Sequence, residues 1–450
     1  MSARNLEDRK GYLELQRAIR NGMRLVDGRT GIIQGLFELP LEANDPKFFH
    51  IAAPLTDTSR YFGVQCYRHN GGAALTRERA TIAAIGEAIE RYCSGMYDPD
   101  AIFKARAKDL GDAAVGPWQF ALFSETQYSR PDFPLSKPLE SAVFGWVQGY
   151  SLTRNTDVYV PACFVYVPYR FMNRTEFVTV PISTGLACGT SLEDAILRGI
   201  YEVVERDAFS IVWLNRLNVP RLRIEDFSSR EVLAVVEKFR EVGIDLCVNL
   251  ATTDLGIPVV ITLALDDTGA GPASVIAARA DFDLEYAVMR SLEETAQTRL
   301  WAKKLMRDKP DYEPKPGFTD VVSGEDHVRL FASPNMRKHI EFLTEAPFIT
   351  GSGPFLCPAD EDVRGRIRRC VDMLSFHGYE TIVVDITTPD IREAGFRVVR
   401  VLVPGLQPLD MNHNWRYLGG KRLYEAPVKM GFFEKPKSPE ELNGIPHPFP

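Results

Sequence analysis

The amino-acid sequence predicts an α+β fold, with one large domain and small additions at its two ends. Three long segments with helical periodicity are separated by groups of short apolar segments that are typical of strands. No low-complexity linker divides the 450 residues, which favours one domain over a string of modules. A chain of this length with 45% hydrophobic residues has ample apolar material for a core.

The N-terminal half is predicted to combine strands with one long helix. An amphipathic pattern at the start indicates a short helix that caps the main fold. Runs of β-branched and aromatic residues next to glycine indicate strands, and a proline-rich stretch without periodicity indicates a surface connection. In chain order, the predicted elements are a helix over 8–22, strands over 30–41 and 61–75, a helix from Arg77 to Ser94, a surface connection over 97–140 and a hairpin over 144–169.

The C-terminal half contains the other two long helices. The turn GLACGT precedes the first of them, and Thr190 or Ser191 is its predicted N-cap. From Ala426 onward the chain is rich in proline and lysine and ends in PHPFP. In chain order, the predicted elements are helices over 191–217 and 229–242, strands over 244–251 and 257–265, helices over 283–305 and 362–377, and strands over 380–387 and 396–404.

Composition argues against several classes of protein. The net charge of −7 gives no general attraction for nucleic acid or for an anionic membrane. The sequence has no apolar run of membrane-spanning length, and its charged N-terminus lacks the apolar segment of a signal peptide, so we expect a cytoplasmic protein. The cysteines are scattered without a CxxC pair, which predicts reduced thiols in the core: Cys66, Cys93, Cys163, Cys188, Cys247, Cys357 and Cys370.

The three long helices share one pattern of small and acidic residues. Two small residues and an acid recur at offsets of four and three, which puts each trio on one helix face. Small residues allow close approach of a neighbouring backbone and leave the carboxylate at the end of a narrow slot. The trios are Ala80, Ala84 and Glu87; Ala195, Gly199 and Glu202; and Ala287, Ser291 and Glu294. Three residues after each acid come Glu90, Glu205 and Gln297, and the basic residues that follow are Arg91, Arg206 and Arg299.

A single copy of this pattern is best explained as an exposed ion pair, worth about 0.2–0.5 kcal/mol at i,i+4 spacing. Three copies among apolar residues favour a site, because burying uncompensated carboxylates costs several kcal/mol and calls for a cation. Oxygen ligands without a His or Cys cluster indicate Mg²⁺, which usually arrives with phosphate that arginines can bind. The residues therefore predict a Mg²⁺–nucleotide site built by three helices. The sequence has no P-loop and no dinucleotide-binding glycine motif, so the fold that binds the nucleotide is an uncommon one.

These helices and their flanking segments resemble the YcaO family. The resemblance rests on GGAALTRERATIAAIGEAIERY, STGLACGTSLEDAILRGIYEVVERDAF and RSLEETAQTR, and on DITTPDI, GFRVVRVLVPGLQPL and YLGGKRLYEAP further along. It implies a YcaO-type ATP-binding fold, with mixed or antiparallel sheets and long acidic helices that form the nucleotide site. The implied domains are an N-terminal extension packed on the core (1–59), a YcaO catalytic domain (60–425) and a Pro-rich tail that reaches the active site (426–450).

The resemblance also implies roles for the repeated residues, with ATP and Mg²⁺ as cofactors. Members of the family hold Mg²⁺ through acidic helix residues, which correspond here to Glu87, Glu90, Glu202 and Glu205. The residues expected to face the nucleotide are Glu202, Glu294, Gln297 and Arg299, of which the last three match the family element E-x-x-Q-x-R, and Arg91 and Arg206, which contact phosphate or brace the glutamates. The sequence departs from some members at Ala84, Arg198 and Tyr201, which puts the fine nucleotide contacts in doubt but leaves the carboxylate framework intact.

The chemistry implied by the resemblance is ATP-dependent cyclodehydration of a ribosomally made peptide. A Cys, Ser or Thr side chain attacks the preceding backbone amide, and phosphorylation of the amide oxygen allows an azoline ring to form. Pro446, Pro448 and Pro450 form a terminal PxPxP similar to that of azoline-forming enzymes of the D-protein type. Such a terminus is otherwise usually a solvated tail. The expected catalytic residues are Glu205, the Pro450 carboxylate as a base and His447 as a second titratable group.

Two other functions of the same family remain open at this point. One is a YcaO enzyme that makes thioamides or macrocyclic amidines, for which a neighbouring TfuA-like gene would be the sign of thioamide formation. The other is a non-catalytic ATP-binding accessory protein for ribosomal protein methylthiolation. The sequence has no segment of the size of a leader-peptide-binding winged helix and no ThiF-like domain, so we expect a partner of one of these kinds, in some systems with a flavin dehydrogenase. Family resemblance favours a homodimer or a synthetase complex.

Overall fold

The computed structural model describes residues 3–59, 63, 65–349 and 361–450, with side chains from residue 11 onward. The longer helices are α1 (Ala3–Met23), α2 (Arg77–Gly95), α3 (Leu192–Asn215), α4 (Arg230–Arg240), α5 (Leu284–Asp308), α6 (Gly324–Phe331), α7 (Val363–Phe376) and α8 (Lys421–Lys429). Short helices are present at Ala107–Leu110, Glu125–Tyr128, Glu341–Thr344 and Pro389–Glu393. None of the described helices combines the length and apolar composition needed to cross a bilayer.

The strands form three mostly antiparallel sheets, which confirms the predicted α+β class. A three-stranded sheet contains β1 (Phe37–Glu38), β2 (Phe49–Ala52) and β3 (Gly71–Ala74). A five-stranded sheet contains β8 (Arg221–Leu222), β9 (Ile244–Leu250), β10 (Val259–Asp266), β11 (Ser274–Ala280) and β12 (Phe348–Ile349). Its strand order is β11-β10-β9-β8-β12. A six-stranded sheet contains β4 (Phe103–Arg106), β5 (Val143–Ser151), β6 (Thr156–Pro161), β7 (Leu186–Gly189), β13 (Ile382–Asp385) and β14 (Arg397–Leu402). Its strand order is β4-β5-β13-β14-β7, and β6 pairs with β5.

The three long helices α2, α3 and α5 lie in different layers around these sheets. Helix α3 is packed in a core that includes one face of the five-stranded sheet and side chains of β14. Helix α5 packs with α4 on the other face of the five-stranded sheet, and α2 packs on the other face of β14. Alternation along β14 divides its side chains, because Val399 and Val401 join the α3 core and Val398 and Leu402 join the α2 core.

Several predicted elements differ from the observed ones for identifiable reasons. The predicted strand over 30–41 forms regular sheet only at β1, because its first part makes isolated bridges instead of a ladder. The predicted strand over 61–75 contains β3, and its start lies partly outside the described residues. The predicted surface connection over 97–140 includes β4 and two short helices, whose patterns are too short to give a periodic signal. Ser191 is the N-cap of α3, and the six described cysteines are free thiols, whereas Cys357 lies outside the described residues.

Candidate functional site

Carboxylates from α2, α3 and α5 converge in one place. Glu87 and Glu90 come from α2, Glu202 and Glu205 from α3, and Glu294 from α5. Repulsion from Glu202 acts on each of the other four, so these groups lie within electrostatic range across three helices. The five residues are called the carboxylate cluster below.

The small residues of each trio allow the helices to approach strands and turns closely. A Cβ on Gly72 in β3 would lie 2.6 Å from the Ala80 carbonyl oxygen and from the Ala84 amide nitrogen of α2. A Cβ on Gly199 in α3 would lie 2.5 Å from Val401 in β14. On α5, the buried Ser291 hydroxyl lies 2.6 Å from the Thr262 hydroxyl of β10.

The acids above these small residues make few neutralising contacts of their own. Glu87 accepts a 2.8 Å hydrogen bond from the Gly71 amide, and Arg91 lies 3.9 Å from Glu87 and 3.3 Å from Glu90. On α3, Arg206 lies 3.7 Å from Glu202 and 3.6 Å from Glu205. Glu205 also accepts a 3.3 Å bond from the Ala280 amide.

Burial raises the carboxyl pKa values of the cluster. Loss of solvation is the main cause and repulsion between the acids adds to it, so that the pKa of Glu90 and that of Glu205 rise to about 8 despite the attraction of Arg91 and Arg206. The pKa values of Glu87 and Glu294 are also raised, first by burial. The neighbouring arginines therefore do not fully offset the burial and mutual repulsion of the carboxylates, and a divalent cation coordinated by oxygen ligands would do so.

Two further arginines belong to the site although sequence reasoning missed them. Arg400 has the same strand register as Val398 and Leu402, on the face of β14 toward α2, and Glu202 and Glu90 both act on it. Arg279 of β11 acts on Glu205 and Glu294. The signal that could have revealed them is an arginine between apolar residues of a strand, as Arg400 is in RVVRVL and Arg279 is in SVIAARA.

The unsatisfied donors of these arginines fit an anionic ligand. Arg206 Nη1, Arg279 Nε and Arg400 Nε are buried and have no hydrogen-bond partner among the described residues. Burying an N–H without a partner is costly, and phosphate oxygens are well suited to guanidinium donors. Carboxylates for Mg²⁺ next to unpaired guanidinium donors for phosphate make a donor set that fits a Mg²⁺–nucleotide complex.

Two residues of the predicted E-x-x-Q-x-R motif, Gln297 and Arg299, lie in different surroundings. The Gln297 Nε2 atom lies 3.8 Å from the position that a Cβ of Gly71 would occupy, so Gln297 borders the part of the site where Glu87 binds Gly71. Arg299 instead lies 2.8 Å from Asp266 and 3.8 Å from Asp45 in a buried ion-pair network. The structure does not bring Arg299 together with the carboxylate cluster.

The proline-rich tail follows α3 toward the carboxylate cluster. The Asn443 amide donates to the Leu214 carbonyl at 2.7 Å, and the Trp213 indole N–H donates to the Ile445 carbonyl at 3.0 Å. Phe449 is fully buried, with its ring 4.6 Å from that of Phe209. The tail thus runs from the C-terminal end of α3 back along that helix.

Arg206 connects the end of the tail with the carboxylates. Its guanidinium lies 4.1 Å from the centre of the Phe449 ring and forms ion pairs with Glu202 and Glu205. The backbone carboxyl carbon of Pro450 lies near the start of α6, 3.5 Å from the position that a Cβ of Gly324 would occupy.

His447 is held by backbone groups on both sides of its ring. Its Nε2 donates to the Asp410 carbonyl at 2.5 Å, and its Nδ1 accepts from the Phe449 amide at 3.2 Å. The ring stacks on His327 at 3.7 Å, and His327 contacts the carbonyls of His447 and Met411. Burial lowers the pKa of His447 to about 3. This geometry suits positioning of the tail rather than proton transfer, and proximity of His327, Asp410 and His447 does not make a metal site because backbone atoms occupy the ring nitrogens.

Comparison with known proteins points to one family. A family model described as a YcaO cyclodehydratase that binds ATP and Mg²⁺ matches residues 71–407. An uncharacterised protein of Methanothermobacter thermautotrophicus is 28% identical over 338 residues, 75% of this chain and 81% of that protein. An uncharacterised protein encoded in the tfuA 3′ region of Rhizobium leguminosarum bv. trifolii is 28% identical over 371 residues, 77% of this chain and 79% of that protein.

A solved structure described as a heterocyclase in complex with substrate and cofactor has the same fold. It matches with a TM-score of 0.81 and 27% identity, over 97% of the present chain. The present chain spans 57% of the length of that heterocyclase. The sequence and structural likenesses thus agree with the predicted fold.

Proposed function

The chain belongs to the YcaO family, and we propose that it is an ATP-dependent heterocyclase that closes azoline rings in a ribosomally made peptide. The observation that carries this proposal is the carboxylate cluster from three helices, next to buried arginine nitrogens without partners. A similar solved protein is a heterocyclase in complex with substrate and cofactor, which supports the same class of activity.

In this proposal the ligands are divided between the acids and the arginines. Glu87, Glu90, Glu202 and Glu205 hold Mg²⁺, and Arg91, Arg206 and Arg400 bind phosphate. Glu294 and Gln297 border the nucleotide, whereas Arg299 stays in its ion-pair network with Asp266 and Asp45. Arg279 is added to this set because its buried Nε lacks a partner near Glu205 and Glu294. Mg²⁺–ATP supplies the phosphoryl group that turns the amide oxygen into a leaving group.

The protein's own contribution is to position groups and manage charge rather than to provide a nucleophile. A Cys, Ser or Thr side chain of the peptide forms the new bond to the amide carbon, and the amide oxygen departs with the phosphoryl group as phosphate. Glu205 is the first candidate base: burial raises its pKa to about 8 in the metal-free protein, and a bound Mg²⁺ would favour the ionised form that can accept a proton. We retain the Pro450 carboxylate as a second candidate base and assign His447 to holding the tail in position.

The decisive experiment is mass spectrometry of a candidate precursor peptide incubated with the protein, Mg²⁺ and ATP. Each azoline ring appears as the loss of one water, with one ADP formed per ring. Glu202→Gln removes a carboxylate with little change in size, so it should abolish Mg²⁺–ATP binding and ring formation while the far-UV circular dichroism stays unchanged. Nucleotide affinity near the wild-type value in this variant would refute the site assignment.

A matched control for that variant is Glu193→Gln, also on α3. Glu193 lies at the start of the helix and pairs with Arg364 on the surface, outside the carboxylate cluster. This variant should bind nucleotide and form rings as the wild type does.

Thioamide formation is the second candidate, and one relative favours it. The Rhizobium relative is encoded in the tfuA 3′ region, and a TfuA-like neighbour is the predicted sign of thioamide chemistry. The same mass-spectrometric assay, supplied with sulfide, separates the two reactions because exchange of oxygen for sulfur raises the peptide mass. ATP binding without peptide-dependent phosphate release would support the accessory-protein alternative.

We also propose that a partner protein delivers the peptide, either ThiF-like or leader-peptide-binding. Co-purification of such a partner with the precursor peptide and this chain would test the proposal. Ring formation at full rate by the isolated chain would argue against it.

A further inference from the structure

A cavity of about 80 Å³ adjoins the carboxylate cluster at the end of β14. Arg400 lines this cavity and also interacts electrostatically with Glu202 and Glu90, so one side chain borders both spaces. Val203, next to Glu202 on α3, lines the cavity too. The cavity is therefore adjacent to the place where the proposed chemistry occurs.

Most of the cavity wall is apolar. The rings of Phe120 and Phe164 stack at 4.0 Å on one side, and Leu122 and Leu406 are buried in the same wall. An apolar wall of this kind favours an aliphatic ligand over water.

Two buried polar atoms of the lining residues lack partners. Arg400 Nε is a donor and Gln407 Oε1 is an acceptor without a hydrogen bond among the described residues. The rest of Gln407 is held firmly, because its Nε2 donates to the Tyr417 carbonyl at 2.7 Å and its amide donates to Asp207 at 2.8 Å. Arg400 and Gln407 are 5% and 2% exposed, so bulk solvent has little access to these atoms and both are open to a bound ligand.

We propose that this cavity is the subsite for an aliphatic side chain of the substrate peptide, on the residue whose carbonyl is activated. The inference rests on the proposed heterocyclase function and specifies the sequence preference of that reaction. The backbone N–H of that residue matches the unpaired acceptor Gln407 Oε1 in kind, while Arg400 Nε remains for phosphate. The volume is about half of the 150 Å³ of an apolar cavity that holds benzene, so valine or leucine fits and an indole does not.

A peptide series at that position tests the subsite directly. Peptides that differ only in Gly, Val, Leu or Trp before the cyclised residue are compared by kcat/KM for ring formation. We expect Val and Leu to exceed Gly by about tenfold or more, because each buried methylene contributes roughly 10-fold or more to discrimination, and we expect Trp to be rejected. Equal kcat/KM values across the series would overturn the proposal.

Variants of Leu406 provide the complementary change. Leu406→Ala enlarges the cavity, so kcat/KM for the Trp peptide should rise relative to the Val peptide. Leu409→Ala is the matched control, because Leu409 is a buried leucine of the same segment that does not line the cavity. An unchanged Trp-to-Val ratio in Leu406→Ala, with a folded protein by circular dichroism, would also overturn the proposal.

Binding of a small probe separates failure of the subsite from failure of the proposed function. N-acetyl-L-leucinamide is titrated by ligand-detected NMR against the full chain and against Leu406→Trp, which fills the cavity. Saturable binding to the wild type that is lost in folded Leu406→Trp supports the subsite even if no peptide is cyclised. Absence of binding to the wild type, or equal binding to both proteins, overturns it.

Discussion

Replacing Glu205 by Gln should make the metal-free protein more stable at high pH, although a buried contact is altered. The pKa of Glu205 rises from 4.5 to about 8, mainly because of burial. At about 1.4 kcal/mol per pKa unit, this rise corresponds to about 5 kcal/mol of strain in the fully ionised, metal-free protein. We expect at least about 2 kcal/mol of it to be measurable, because the Gln amide oxygen can still accept the Ala280 N–H.

The sign of this pH dependence of stability follows from the linkage between proton binding and folding. The folded protein keeps the Glu205 proton up to about pH 8, whereas the unfolded chain releases it near pH 4.5. Without Mg²⁺, the stability of the wild type therefore falls as pH rises through this window. The variant has no such proton to lose, so its free energy of unfolding should fall less and should exceed that of the wild type at about pH 9.

Mg²⁺ should narrow the difference in unfolding free energy between the two proteins at about pH 9. If Glu205 is a ligand, the ion stabilises the wild type, by about 2.7 kcal/mol at 100 times its dissociation constant, and stabilises the variant much less. The assay is urea unfolding followed by circular dichroism at about pH 5.5 and about pH 9, with and without Mg²⁺.

Glu176→Gln is the control for this experiment. Glu176 is also fully buried, but it accepts hydrogen bonds from Gly145, Tyr169 and Met172 and needs no cation. Its replacement should destabilise the protein at both pH values, with no effect of Mg²⁺ on the difference. Parallel pH curves for wild type and Glu205→Gln, with equal shifts on adding Mg²⁺, would refute the reasoning about Glu205.

Three further changes test how the site is supported. Arg422→Met should cost about 3–5 kcal/mol of unfolding free energy in urea unfolding, because it leaves buried Asp207, now 2.8 Å from the guanidinium, without its partner; a cost below about 1 kcal/mol would contradict this. Gly199→Val should weaken Mg²⁺–ATP affinity in calorimetry, since a Cβ there would lie 2.5 Å from Val401, whereas Gly86→Val, at an open helix position, should not. Deletion of Pro448 to Pro450 should abolish ring formation while ATP affinity changes far less, and an active truncated protein would remove the tail from the mechanism.

The repeated acids were predictable from sequence because their signal is local. Helical spacing puts two small residues and an acid on one face. For Ala80, Ala84 and Glu87 the expected close approach is observed, since the strand at Gly72 lies close to the helix backbone. The strands β9 and β10 were also predicted, because apolar residues, several of them β-branched, make up most of each.

Other parts of the site depend on contacts that no local pattern records. Strand β11 was missed because SVIAARA is rich in alanine, which is depleted in strands. Its Arg279 acquires a role only when β11 lies next to α5. The path of the tail depends on distant partners such as Trp213, and nothing in the sequence PHPFP indicates that the tail contacts that residue. Arg299 matched its motif by spacing, but its actual neighbours, Asp45 and Asp266, come from distant segments.

The position of Arg206 implies that the tail and the nucleotide site influence each other. Arg206 is the main attractive influence on the pKa of Glu205 and of Glu294, and Phe449 covers its guanidinium at 4.1 Å. Removing that ring would admit water, weaken the attraction through a higher local dielectric, and so leave the carboxylates less compensated. Coupling of binding free energies is reciprocal, so whatever a docked tail adds to nucleotide affinity, a bound nucleotide adds to docking of the tail. Where that coupling is positive, the tail held by backbone bonds to His447 and by the Phe449 ring is most ordered when the nucleotide is bound.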